Sequence, residues 1–155
     1  MNKIVKVDDT EEMRALHKLA FAEDPWPGDD HEFWVAYDEH GAVVGFCSAV
    51  LLTADSAFLS RAAVARSARR SKLHRRLIRE RLKWMSKMNV EIVVTYVDRF
   101  NYASMINLLR EGFRFAPNSF LRGWREYHLM YLMPRGELPM GQLKVALSAM
   151  ADVNG

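Results

Sequence analysis

Three apolar runs of strand type, FWVAYDE (33–39), VVGFCSAVLL (43–52) and SAFLSRAAV (56–64), follow one another with no helical pattern between them. The pair His40-Gly41 between the first two is a hairpin signal, because glycine supplies the positive φ that tight turns need. A strongly basic helical pattern then separates them from the next strand, EIVVTYV (91–97). Hairpins first and helical crossovers later imply a sheet with both antiparallel and parallel neighbours, which is a mixed α/β arrangement.

The remaining elements fit that frame. IVKV (4–7) reads as a strand, and Asp9 with Glu12 is expected to form a capping box for a helix through about Ala22. EDPWPGDDHEF is expected as a loop or broken helix, since two prolines and a glycine interrupt it. A helix is predicted from about Ser71 to Met88 and another opening near Asn101, with a turn at Gly112. Strands are predicted around FRFAP and YHLMYLM, and a short helix over 139–150. With 155 residues and 50% hydrophobic content, one domain is expected over 1–155. Its core covers about 3–133, with a C-terminal extension over 134–155.

Other classes are disfavoured. No apolar run approaches the roughly 18 residues of a membrane span, and MNKIVKVDDTEE lacks a secretory apolar segment. A cytoplasmic protein is expected. The single cysteine, Cys47, permits neither an intrachain disulfide nor a cysteine metal cluster, and a buried, inert thiol is its expected state. The five histidines show no metal-ligand spacing.

Charge is unevenly placed although the net value is only +3. Eleven acidic residues lie between Asp8 and Glu39, whereas Arg61 to Lys87 holds eleven Lys and Arg against Glu80 alone. The middle of the chain is therefore its anion-binding part. In the predicted helix, Leu73, Leu77, Trp84 and Met88 share one arc, while Arg75, Arg76, Arg79, Lys83 and Lys87 cover the opposite side. His74 and Arg81 break this pattern by falling in the apolar arc. Arg81 is expected to snorkel to solvent; an exposed place at the helix start is one account of His74, which is left unassigned.

The hairpin ending in VVGF, the strand with Ala63 and Val64 before a basic helix, EIVVTYV and NYASMINLLREGFRF together resemble the GNAT superfamily of acyl-CoA-dependent N-acyltransferases. Asn101, Ser104, Gly112 and Phe113 match that family's later motif residue by residue, with Val97 four positions before Asn101. The resemblance implies a mixed, splayed sheet flanked by helices, and acetyl transfer from acetyl-CoA to a small-molecule or protein amine. It also implies a cofactor site between the strands ending at Val64 and Val97. That site would comprise Ala63, Val64, Arg69, Arg70, Ser71, Lys72, Leu73, His74, Asn101 and Ser104.

Two departures from the family pattern stand out. Its phosphate loop, Arg or Gln, two residues, Gly, one residue, Gly or Ala, aligns onto Arg69, Lys72 and His74, so both small residues are replaced. Glycine serves there because backbone N–H groups at a helix start can then approach the diphosphate. Side-chain cations could take over that role, or could form a solvated face instead. The second departure concerns proton transfer. A tyrosine that many members carry seven residues after the Asn is Leu108 here, and no Glu lies on SAFLSRAAV. Asp55, Tyr96, Asp98 and Tyr131 are ionisable near the expected cleft, but no catalytic residue is assigned.

Trp26, Phe33, Trp34 and Tyr37 lie where the family places its acceptor-side wall. They suit either a cationic amine or an aromatic core. Two alternatives from other classes remain. One is a GNAT-fold interaction or structural protein without catalysis, as small phage-type proteins with basic residues at the glycine positions resemble. The other is a nucleic-acid binder using the basic helix 69–87, although no interleaved aromatic stacking platform accompanies its cations.

Overall fold

The computed structural model describes residues 2–8, 10–28 and 30–154. Among these residues, seven strands form one mixed sheet in the order β1-β2-β3-β4-β5-β7-β6, accompanied by four α-helices. The chain divides into two compact units, Met1–Val50 with Ser60–Arg81, and Leu51–Leu59 with Leu82–Gly155.

In the first unit, β1 (Lys3–Val7) and β2 (Glu32–Tyr37) are antiparallel, and β2 pairs antiparallel with β3 (Val43–Leu51). The β2–β3 turn forms as His40-Gly41 suggests. Gly41 takes φ +81°, and the Asp38 carboxylate accepts the backbone N–H groups of His40 and Ala42 at 2.8 and 2.9 Å. Residues 44–50 of β3 are buried throughout, as expected for a strand covered on both faces.

Helix α1 (Glu11–Ala20) turns Met13 and His17 inward, and Met13 packs with Phe33, Val35 and Phe46. Its cap is Thr10, whose hydroxyl accepts the Met13 N–H at 3.3 Å. Asp9, the expected cap, lies outside the described residues. Among the described residues of the segment with two prolines that follows, none is helical, and β2 begins at Glu32 within it.

Strand β4 (Ser56–Val64) has the limits that its apolar run gives. A 3₁₀ turn, Arg66–Ala68, leads to helix α2 (Leu73–Lys87). Gly45 of β3 is what lets α2 begin close to the sheet. A Cβ there would lie 3.1 Å from Leu73 and 3.3 Å from the Ala63 carbonyl oxygen.

Arg81 overturns its expectation. It is 2% exposed rather than snorkelling, and donates from Nε to the Leu77 carbonyl at 3.1 Å. From Nη1 it donates to Ser48 of β3 at 3.2 Å and to Arg61 of β4 at 3.4 Å. Those strand carbonyls draw the guanidinium inward, because hydrogen bonds to a charged group are the stronger kind.

In the second unit, the first residues of β4 pair parallel with β5 (Ile92–Asp98), from Ser56↔Ile92 to Phe58↔Val94. One step beyond, the Thr95 hydroxyl donates to the Leu59 carbonyl at 2.8 Å, so a side chain takes over where the ladder ends. β5 also pairs antiparallel with β7 (Tyr127–Leu132), which carries the two-residue β6 (Arg114–Phe115) on its other edge. Helix α3 (Tyr102–Arg110) lies between β5 and β6 in the chain.

Helix α4 (Met140–Asn154) is longer than expected for the tail. It packs on β5 and buries Leu143, Ala146, Leu147 and Met150. These recur at the i, i+3, i+4, i+7 spacing of one helix face. No described helix is long and apolar enough to cross a membrane.

Candidate active site

The first unit holds the segment on which the anion question turns. After the 3₁₀ turn the backbone enters the left-handed region twice, at Arg70 with φ 73° and at Lys72 with φ 62°. Neither is glycine, and the conformation costs an L-residue about 1–2 kcal/mol. The Ser71 hydroxyl donates to the Ala68 carbonyl, and Lys72 supplies the carbonyl that receives the Arg76 N–H at 3.2 Å as α2 begins. Leu73 is buried beneath this turn, whereas Arg69, Arg70, Ser71 and Lys72 are all exposed.

Lys72, at the family's first glycine position, therefore adopts the kind of backbone that glycine favours. Arg69 folds back toward β4, its Nε 3.4 Å from the Val64 carbonyl oxygen. Three cations thus gather at the positive end of a helix dipole. That arrangement costs a few tenths of a kcal/mol per charge unless an anion is present. His74 is not a fourth cation. Burial, and then the Arg81 charge, push its pKa down to about 4, so a neutral, half-buried imidazole occupies the first turn.

The second unit places the later motif. Asn101 is the N-cap of α3, and its Oδ1 accepts the Ser104 N–H at 3.2 Å. The amide Nδ2 is left as a donor, while the half-buried Ser104 presents a hydroxyl. Gly112 takes φ +96° after the helix, and Phe113 is buried at 2% exposure, so both motif residues serve the turn into β6. Leu108, where a tyrosine would stand, is buried.

Of the four ionisable residues near the expected cleft, three have local roles. Asp55 accepts from the Thr53 hydroxyl at 2.9 Å, Asp98 accepts from the Phe100 N–H at 2.9 Å, and the Tyr131 ring is covered by Arg114 at 5.3 Å. Tyr96 differs. It is half-buried, stacks on Phe58, meets Trp124 and Tyr127 edge-on, and brings its hydroxyl 3.4 Å from Asn154 Oδ1 on α4. Tyr96 was legible as ionisable; its aromatic neighbours, distant in sequence, were not.

The aromatic group on the acidic side separates. Trp26 stacks on Phe33 at 5.1 Å, and both pack with Tyr37, Phe46 and Met13. Trp34 lies outside that cluster, as the next residue along a strand must, with Lys6 6.0 Å from its ring. His17 sits against Phe21, Trp26 and Phe46 with a buried Nε2 that has no hydrogen-bond partner. Among the described residues, no group of three His, Cys, Asp or Glu is placed to hold a metal ion.

A family model described as acetyltransferase (GNAT) family matches residues 4–113. No curated protein matches the chain by sequence. Solved structures share its fold. The ribosomal-protein-S18-alanine N-acetyltransferase from Escherichia coli is 22% identical with a TM-score of 0.69, covering 89% of this chain and 97% of that one. The IAA acetyltransferase from Bacillus cereus ATCC 14579 is 12% identical with a TM-score of 0.71, covering 86% and 99%. An acetyltransferase from Streptococcus agalactiae 2603 is 14% identical with a TM-score of 0.70, covering 85% and 98%.

Proposed function

Because the chain belongs to the acetyltransferase (GNAT) family, we propose that it moves an acetyl group from acetyl-CoA to a small-molecule or protein amine. The segment from Arg69 to His74 holds the diphosphate of the cofactor. The observation that supports this reading is the left-handed backbone at Arg70 and Lys72. Strained non-glycine conformations persist where their surroundings fix them, and they cluster at functional sites. Here the strain accompanies three exposed cations at a helix start, the chemistry an anionic phosphate group needs.

Roles follow for the other residues. Ala63 and Val64 offer the backbone at the end of β4, Leu73 supports the loop from beneath, and Ser71 and the neutral His74 offer uncharged polar groups. In the second unit, we assign the Asn101 amide and the Ser104 hydroxyl to hydrogen bonds with the pantetheine arm. Acetyl-CoA supplies an acyl group activated as a thioester, and the acceptor must arrive as a neutral amine, although a free lysine has a pKa of roughly 10.4. Proximity supplies most of the rate where no base is positioned. We also propose a cytoplasmic location, and a single domain that includes residues 134–155.

Calorimetric titration with acetyl-CoA tests the reading. Arg69→Ala with Lys72→Ala should weaken CoA at least tenfold, leave a short acetyl thioester without phosphate unaffected, and reduce the response to salt. Unchanged CoA affinity would remove the anion site. A second reading, binding without transfer, is favoured by Leu108, which is buried and apolar where a proton donor would be expected. Acetyl-CoA binding with no transfer to a panel of amines and N-terminal peptides would establish it.

A further inference from the structure

Arg81 is a cation enclosed in the first unit, next to Glu80 in the chain, whose guanidinium is held by backbone carbonyls. Its three hydrogen bonds all end on neutral carbonyls, those of Leu77, Ser48 and Arg61. The neighbouring Cys47 is no counter-ion, since burial pushes its thiol up to about 11. A buried charge is costly, and its field is screened far less than that of a surface charge. The position nonetheless keeps a guanidinium where the helix pattern asks for an apolar side chain.

Arg81 lies seven residues after His74, hence on the same face of α2 and about 10.5 Å further along the axis. We infer that Arg81 is a positioning residue for the anion held at Arg69–His74: its buried charge favours a bound phosphate group while its bonds tie α2 to β3 and β4. This rests on the anion site proposed above. The lowered pKa of His74, to which Arg81 contributes after burial, indicates that its field reaches the first turn. Two unit charges about 10 Å apart at an effective dielectric of about 20 correspond to roughly tenfold in affinity. The exposed Arg69 and Lys72 act through solvent, so their contribution falls with salt, whereas that of Arg81 should hold.

The test compares Arg81→Lys, Arg81→Gln and Arg81→Met in the full chain, with coenzyme A and inorganic pyrophosphate as probes at low and high salt. Circular dichroism and thermal melting establish which variants fold. Arg81→Lys keeps the charge but not the full set of bonds; Arg81→Gln keeps hydrogen bonding but not the charge. The expected result is near-native binding for Arg81→Lys, about tenfold loss at both salt concentrations for the neutral variants, and a rise in the His74 pKa by NMR. Native affinity in a folded neutral variant, equal loss in Arg81→Lys and Arg81→Gln, or an unmoved His74 would each overturn the inference. Pyrophosphate binding without CoA binding would defeat the acetyl-CoA reading while leaving Arg81 to be judged on pyrophosphate. If the native chain binds neither, both fall.

Discussion

The Oδ1 of Asn101 accepts the backbone N–H of Ser104 at 3.2 Å, so the residue assigned to the pantetheine arm also starts helix α3. One substitution therefore has two separable effects. Asn101→Ala removes the cap and should cost about 1 kcal/mol of stability. Asn101→Ser keeps a capping oxygen but loses the amide donor. It should melt within a few tenths of a kcal/mol of the native chain yet bind acetyl-CoA more weakly. If Asn101→Ser binds as the native chain does, Asn101 is a cap and nothing more.

The left-handed backbone at Lys72 separates backbone from charge. Lys72→Gly and Lys72→Ala both remove the cation, but only glycine relieves the strain. The glycine variant should be the more stable of the two by about 1 kcal/mol, although its freedom in the unfolded chain offsets part of that gain. Urea denaturation of the two variants measures the difference. Equal midpoints, or a more stable alanine variant, would contradict the strain.

What the sequence disclosed, and what it hid, follows from where each signal resides. Strand β4 and the β2–β3 hairpin rest on local patterns, an apolar run and a glycine in a turn, and both appear as read. The family motif at Asn101, Ser104, Gly112 and Phe113 was local too. Arg81 could be placed on the apolar arc, but the carbonyls that receive it lie on β3 and β4, and no spacing within α2 announces them. The left-handed turn at Arg70 and Lys72 was illegible because its residues disfavour the conformation they adopt. The cap of α1 was missed by one position, since Asp9 and Thr10 both carry a suitable oxygen.

His17 makes stability depend on pH. Burial, followed by the charge of Arg61, lowers its pKa below the ordinary 6.5, and His31 and His74 are lowered mainly by burial. Each binds a proton more readily unfolded than folded. The stability these groups contribute is thus complete above about pH 6.5 and is lost as pH falls through their folded values, toward about 4 for His74. Thermal melts should show a falling midpoint across that window. Replacing His17 by Phe, which suits its aromatic neighbours and removes the unpartnered Nε2, should flatten the fall without lowering the midpoint at pH 7. A slope identical to that of the native chain would mean that His17 does not titrate there.

Helix α4 lies beyond the residues matched by the family model, yet its inner face is core. Leu143, Leu147 and Met150 are fully buried, and the helix packs on β5. Truncating a fully buried leucine leaves a cavity as well as losing transfer energy, so Leu147→Ala should cost about 2–5 kcal/mol. The exposed Val145 on the same helix provides the comparison, because Val145→Ala removes no packed surface and should change stability by less than about 0.5 kcal/mol. If both variants melt like the native chain, α4 is an appendage. If Leu147→Ala alone is destabilised and unfolds in one transition, residues 134–155 belong to the cooperative domain, and a chain cut at Pro139 should not fold stably.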